Sequence, residues 1–237
     1  MARKLPAATL LAVLLALAAP LVVVANDPDM LQDICVADYH SLKGPLRLNG
    51  FPCKRHQNVT AHDFTSRVLA KPGDAAGSAV GSAVTAANVD VLPGLNTLGV
   101  SMARIDFAPL GVNPPHTHPR ATEMIFVLHG SLHVGFVTTA NKLFARTVHK
   151  GDVFVFPRGL LHFQVNSGHA PAAVISGFNS QLPGTQVVAQ ALFGASPPVP
   201  SDVLATAFQI DAGLVEAIKS SSRRPCREGC TWARTHA

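Results

Sequence analysis

The chain has 237 residues, the length of one domain with additions. Its formal net charge is +5, which falls to +3 on loss of a leader that carries Arg3 and Lys4 and no acidic residue. That is too mild to call for a nucleic acid partner, though it favours retention on acidic polysaccharide. Beyond the leader, no apolar run is long enough to cross a membrane.

Residues 1–25 read as a secretory signal peptide. Arg3 and Lys4 make a basic start, Leu10 to Val24 is an apolar run short for a membrane span, and Val23-Val24-Ala25 offers small residues for cleavage. The mature chain then begins near Asn26, and export permits disulfides. Residues 26–64 read as an irregular arm in which Pro, Gly and Asn recur and no period persists. Within it Cys35 and Cys53 enclose a short loop of little apolar content, where a bridge would stabilise by about 3 kcal/mol through loop entropy. Asn58-Val59-Thr60 is a sequon without proline, so Asn58 is a glycosylation candidate in an exported chain.

Residues 65–218 carry the main domain. Ala70 to Ala87, rich in Ala, Gly and Ser, reads as a loop followed by an edge strand. Leu98, Val100 and Met102 then alternate with Gly99, Ser101 and Ala103. Further β-runs follow at Met124 to Leu128, Leu132 to Val137, Lys142 to Val148, Val153 to Phe156, His162 to Val165 and Ala172 to Phe178. Many short strands with turn punctuation argue a mainly β sandwich or barrel. The period then changes. Ser201 is placed to cap a helix through Phe208, with Val203, Leu204, Ala207 and Phe208 at helical spacing. Asp211 is placed to cap a second helix with Leu214, Val215 and Ile218 on one face. Two amphipathic helices need something to cover them. Residues 219–237 form an Arg-rich tail in which Cys226 and Cys230 leave a local disulfide, a free pair and disorder all open.

Four residues point to chemistry: His116, His118, Glu123 and His162. Imidazole nitrogens with one carboxylate oxygen suit Mn, Fe, Ni, Cu or Zn, and no thiolate lies nearby. Four protein ligands leave up to two octahedral positions open, which a catalytic metal needs. His116 and His118 stand two apart, so on a strand they share a face. A chance His pair is the rival reading in a chain with 11 His, but the flanking pattern weighs against it. His116, His118, Glu123 and Gly130 fit H-x-H-x4-E-x6-G. Gly151, Pro157, Gly159, His162 and Asn166 fit G-x5-P-x-G-x2-H-x3-N. These match the two sequence boxes of the cupins.

The resemblance is closer still. Leu31 to Asp38, Asn96 to Met102, Asn113 to Glu123 and Phe178 to Gln181 resemble germins and germin-like proteins of plants, and the likeness runs from about Asp27 to Lys219. It implies a cupin jelly-roll β-barrel with C-terminal α-helices and a Cys35–Cys53 bridge. It also implies Mn(II) at His116, His118, Glu123 and His162, and a homo-oligomer of dimers assembled into a hexamer. One departure is visible: Leu110 stands where the family usually has a glycine before Asn113-Pro114-Pro115. In oxalate-oxidising germins two asparagines hold the substrate; one matches Asn113, and the other falls at Ala103. Losing one oriented donor to a charged substrate costs about 1.5–3 kcal/mol. Gln164 shares the parity of His162 in a regular strand and either supports the ligands or lines the pocket.

The resemblance therefore favours a secreted manganese protein of the plant cell wall that acts on a small anion as a superoxide dismutase, supplies hydrogen peroxide and serves defence. Oxalate oxidase is disfavoured by Ala103. A third reading is an apoplastic binding or receptor-like cupin whose metal anchors a small carboxylate ligand.

Overall fold

Ten strands and three helices order the chain, in a computed structural model that describes residues 32–41 and 50–222. The expected signal peptide and the tail with Cys226 and Cys230 lie outside the described residues. The strands are β1 Ser82–Ala87, β2 Ser101–Phe107, β3 Val112–Thr117, β4 Glu123–His129, β5 Ser131–Val137, β6 Leu143–His149, β7 Val153–Phe156, β8 Leu161–Val165, β9 Ala172–Phe178 and β10 Gln186–Val187. The helices are α1 Val188–Phe193, α2 Ser201–Phe208 and α3 Ala212–Ser222.

Two five-stranded sheets result, in the orders β1-β2-β9-β4-β7 and β10-β3-β8-β5-β6, with every pairing antiparallel. This is the jelly roll, built as two facing sheets rather than as one continuously hydrogen-bonded barrel. Alternation does the sorting. On β4, Glu123, Ile125 and Val127 are buried while Met124 and Phe126 are exposed.

The interior has two ends. Ile105, Phe107, Ile125, Val127, Leu132, Val134, Val148, Phe156, Ala172 and Val174 form one apolar cluster. At the other ends of β2, β4 and β9 the inward positions turn polar, with Ser101, Glu123 and Ser176, and His162 joins them from β8. Leu110 sits beyond the apolar end, in a turn closed by Gly111 N–H donating to the Ala108 carbonyl. It is 67% exposed with φ of 62°. His116 lies six positions further along the chain, roughly 20 Å if extended, so Leu110 does not border the ligands.

Several sequence expectations shift. Leu98, Val100 and Met102 are exposed, while Ser101 and Ala103 face inward. The outer face of the first sheet is itself apolar, with Met102, Met124, Phe126, Val153 and Val155 all exposed. Register places Met102, Gly177, Met124 and Val155 in one row across four strands. Ser201 does not cap α2. Pro200 holds that position, and the Ser201 hydroxyl instead accepts from Lys219 Nζ at 2.6 Å and donates to Glu216. Asp211 does cap α3, its Oδ1 accepting from Gly213 N–H at 2.7 Å. On that helix Val215 is buried but Leu214 points outward. The helix continues to Ser222, so residues 219–222, read from the sequence as the start of the tail, belong to it.

The arm is fastened covalently and by hydrogen bonds. Cys35 and Cys53 form a disulfide. Asn96, fully buried, accepts from Phe51 N–H at 2.9 Å and donates to the Phe51 carbonyl at 2.8 Å. Asn58 ends a short 3-10 turn and is exposed.

Candidate metal centre

Two prolines shape the first ligand strand. β3 pairs with β8 at Val112↔Val165, Asn113↔Gln164 and His116↔His162. Three steps on β3 thus match two on β8, so one extra residue bulges at Pro114-Pro115. Proline cannot donate to a ladder, and a bulge is where a strand tolerates it. The bulge resets the alternation, and Asn113 and His116 both face the interior. His118 follows the last residue of β3, Glu123 opens β4 and His162 is the second residue of β8. All four side chains are buried, and their ligand atoms lie within 4.8 Å of one another. With donors about 2.1 Å from an ion, that is the scale on which one ion touches all four.

Each imidazole is oriented from behind by the main chain. His116 Nδ1 lies 2.7 Å from the Pro114 carbonyl, His118 Nδ1 2.5 Å from that of Gly184 and His162 Nδ1 2.8 Å from that of Leu160. A carbonyl oxygen can only accept, so Nδ1 carries the proton and the Nε2 lone pair is left for the centre. Nε2 of His118 and of His162 stand 3.1 and 3.0 Å from Glu123 Oε2. Electron-rich atoms converging in a buried space repel unless a cation lies between them, and this donor set fits a divalent first-row ion.

Protonation states agree. Burial, reinforced by the neighbouring His162, lowers the His116 imidazole to about 4 and keeps it neutral, the form that binds metal. Without an ion, burial pushes the Glu123 carboxyl up, but hydrogen bonds from Nε2 of His118 and His162, and the positive charge these bring, outweigh it and hold the group well below the usual carboxylate range; a cation between these atoms would replace those protons.

Around the ligands lie both amides expected from the sequence. Asn113 Nδ2 donates to Gln164 Oε1 at 2.7 Å, and Gln164 Nε2 reaches Glu123 Oε1 at 3.5 Å. Aromatic rings close the walls: Phe156 stacks on His162 at 4.5 Å and Phe178 meets His118 edge-on at 4.8 Å. Ala103 packs with Ala121 and Phe178, so an apolar patch stands where a second amide would be needed. Asn58, Cys35 and Cys53 belong to the arm and not to this site.

One residue escaped the sequence reading. Ser176, fully buried on β9, donates to Glu123 Oε1 at 2.7 Å. Its signal was a lone hydroxyl in the apolar run Ala172 to Phe178, at the inward parity of Val174 and Phe178.

Comparison with known proteins places this geometry. The Cupin family model matches residues 68–216. Germin-like protein 1-3 of Oryza sativa subsp. japonica is 70% identical over 217 residues, covering 92% of this chain and 96% of the relative. Nectarin-1 of Nicotiana langsdorffii x Nicotiana sanderae is 64% identical, covering 83% of each chain. Among solved structures, a recombinant oxalate oxidase in complex with glycolate superposes with a TM-score of 0.79 at 47% identity, covering 83% of this chain and 98% of that one.

Proposed function

The chain belongs to the germin-like proteins of the cupin family, and from that premise we propose that it is a secreted Mn(II) protein of the plant cell wall that dismutates superoxide. The observation that carries the reading is the buried His116, His118, Glu123 and His162 set, with the imidazoles tethered so that their Nε2 atoms face one point. A redox-active ion held there supplies one-electron exchange, and the net reaction converts two superoxide anions and two protons to dioxygen and hydrogen peroxide.

The chain's own residues bind, orient and shield. Three neutral histidines and one carboxylate would leave a divalent ion a net positive charge, which would draw a small anion inward. Phe156 and Phe178 keep the surroundings apolar, so that charge is screened less than in water. Asn113 and Gln164 form a fixed pair of amides beside Glu123. Oxalate oxidation is expected to be absent or very low, because Ala103 offers a methyl group where a dianion needs a donor. The structural likeness to oxalate oxidase favours that activity as the second reading.

The remaining assignments rest on the same premise. The Cys35–Cys53 bridge suits an oxidising compartment and supports secretion to the apoplast. The exposure of Asn58 suits a glycan. Self-association into dimers and a hexamer is supported by the apolar outer face of β2, β4 and β7 and by the outward Val203, Phe208 and Leu214 of the helices.

The test is superoxide consumption by secreted protein, stripped with EDTA and reloaded, beside Glu123→Ala at equal total metal. Activity confined to the reloaded parent is expected. Equal activity in the variant would assign the signal to free manganese and remove the enzyme reading. A strong oxalate-dependent peroxide signal from the parent would replace it with oxalate oxidase.

A further inference from the structure

The two oxygens of Glu123 live in different worlds. Oε2 faces the convergent Nε2 atoms of His118 and His162. Oε1 is turned away from them and is held from behind, at 2.7 Å by the Ser176 hydroxyl and more loosely, at 3.5 Å, by the Gln164 amide. Ser176 is fully buried, and strand register sets it beside Ala103 on β2 and Ile125 on β4. A buried hydroxyl with one short contact is ordered, because burying it without an acceptor would be costly.

A carboxylate can offer a metal one oxygen or two. Which it offers decides how many positions remain for anything else, since a second oxygen occupies a place that a small anion would take. We propose that Ser176 is a positioning residue that keeps Glu123 binding through one oxygen: by holding Oε1, it presents Oε2 alone to the ion. The inference rests on the metal-binding part of the reading above and deepens it, because it names the residue that keeps a position open for the anion. Ser176 touches neither ion nor substrate and acts through Glu123. Gln164 alone is too distant to do the same, since 3.5 Å is the outer limit of a hydrogen bond.

The experiment uses full-length secreted protein, stripped of metal and titrated with Mn(II). The parent, Ser176→Ala and Ser176→Cys are compared by competition against a chelator and by the electron paramagnetic resonance spectrum of each Mn-saturated form. Loss of a group that orients a metal ligand lowers affinity about 10–100-fold, and that loss is expected for Ser176→Ala. Its saturated spectrum is expected to change as both oxygens reach the ion, and its binding of azide, a probe for an open position, to weaken. Ser176→Cys keeps a donor at the same position, though a weaker and larger one, and should fall between. A general loss of folding would lower the number of sites but leave the saturated spectrum unchanged, so an unchanged spectrum and azide affinity in Ser176→Ala would overturn the proposal. A parent that binds no manganese would overturn the metal reading, and this inference with it.

Discussion

Asn113 and His116, three residues apart on one strand, point to the same side of it. In a regular strand an odd separation puts two side chains on opposite faces. The bulge at Pro114-Pro115 removes the conflict, and so joins an amide and a metal ligand in one pocket.

Deleting Pro115 restores regular alternation and turns either Asn113 or His116 outward. Metal content by elemental analysis is expected to fall by at least the 10–100-fold seen when a ligand's support is lost. Replacing both prolines by alanine keeps the residue count and should retain most of the metal. Full metal content in the deletion variant would show that the bulge does not set the ligand geometry.

Acid should destabilise the metal-free protein in a defined window. His116 has a folded value of about 4 against 6.5 when unfolded. Between these values the unfolded chain takes up a proton that the folded one refuses, so stability falls as the pH drops from 6.5 to 4. At about 1.4 kcal/mol per unit this amounts to about 3 kcal/mol. Glu123, also depressed, adds a loss that begins below its unfolded value of 4.5. Urea unfolding of EDTA-treated protein at pH 7, 5.5 and 4 measures the slope. In His116→Gln the part between 6.5 and 4 should flatten.

Ala103→Asn is the probe for oxalate chemistry, and the structure attaches a cost to it. Ala103 is buried against Ala121 and Phe178, so a larger amide overpacks that wall by about 1–3 kcal/mol. The variant is expected to melt earlier than the parent and to gain oxalate-dependent peroxide production. Thermal unfolding and a peroxide assay on one sample test both halves. No gain in a folded, metal-loaded variant would show that the missing donor is not what limits oxalate turnover.

Met124→Lys with Phe126→Lys places two charges on the apolar outer face while leaving the inward Glu123 and Ile125 in place. Light scattering is expected to show a shift from oligomer to monomer with metal content unchanged. An unaltered mass would mean that another surface carries self-association.

The ligand set was legible because fixed spacings around His116, His118, Glu123 and His162 state it almost directly. The bounds of β3, which holds His116 and ends one residue before His118, are less legible, since Pro114 and Pro115 break the usual strand pattern and only register against β8 reveals the bulge. The face of β2 that Met102 occupies is not legible in its alternation with Ser101 and Ala103. Alternation gives two faces but not which one is buried, and this sheet is apolar outside as well as in. Ser201 looked like a cap because caps are local, whereas its actual partner, Lys219, arrives from another helix. Ser176 stayed hidden because its role depends on a carboxylate on a neighbouring strand, a relation that spacing along the chain does not express.

The imidazoles take their orientation from the carbonyls of Pro114, Leu160 and Gly184, that is, from the path of the backbone. Exchange of side chains around the centre leaves those acceptors where they are. The ligand directions are therefore robust to point substitution and vulnerable to insertion or deletion. Sequence drift can remodel the pocket wall, at Ala103 or Phe178, and alter what enters it, while the grip on the ion is inherited unchanged.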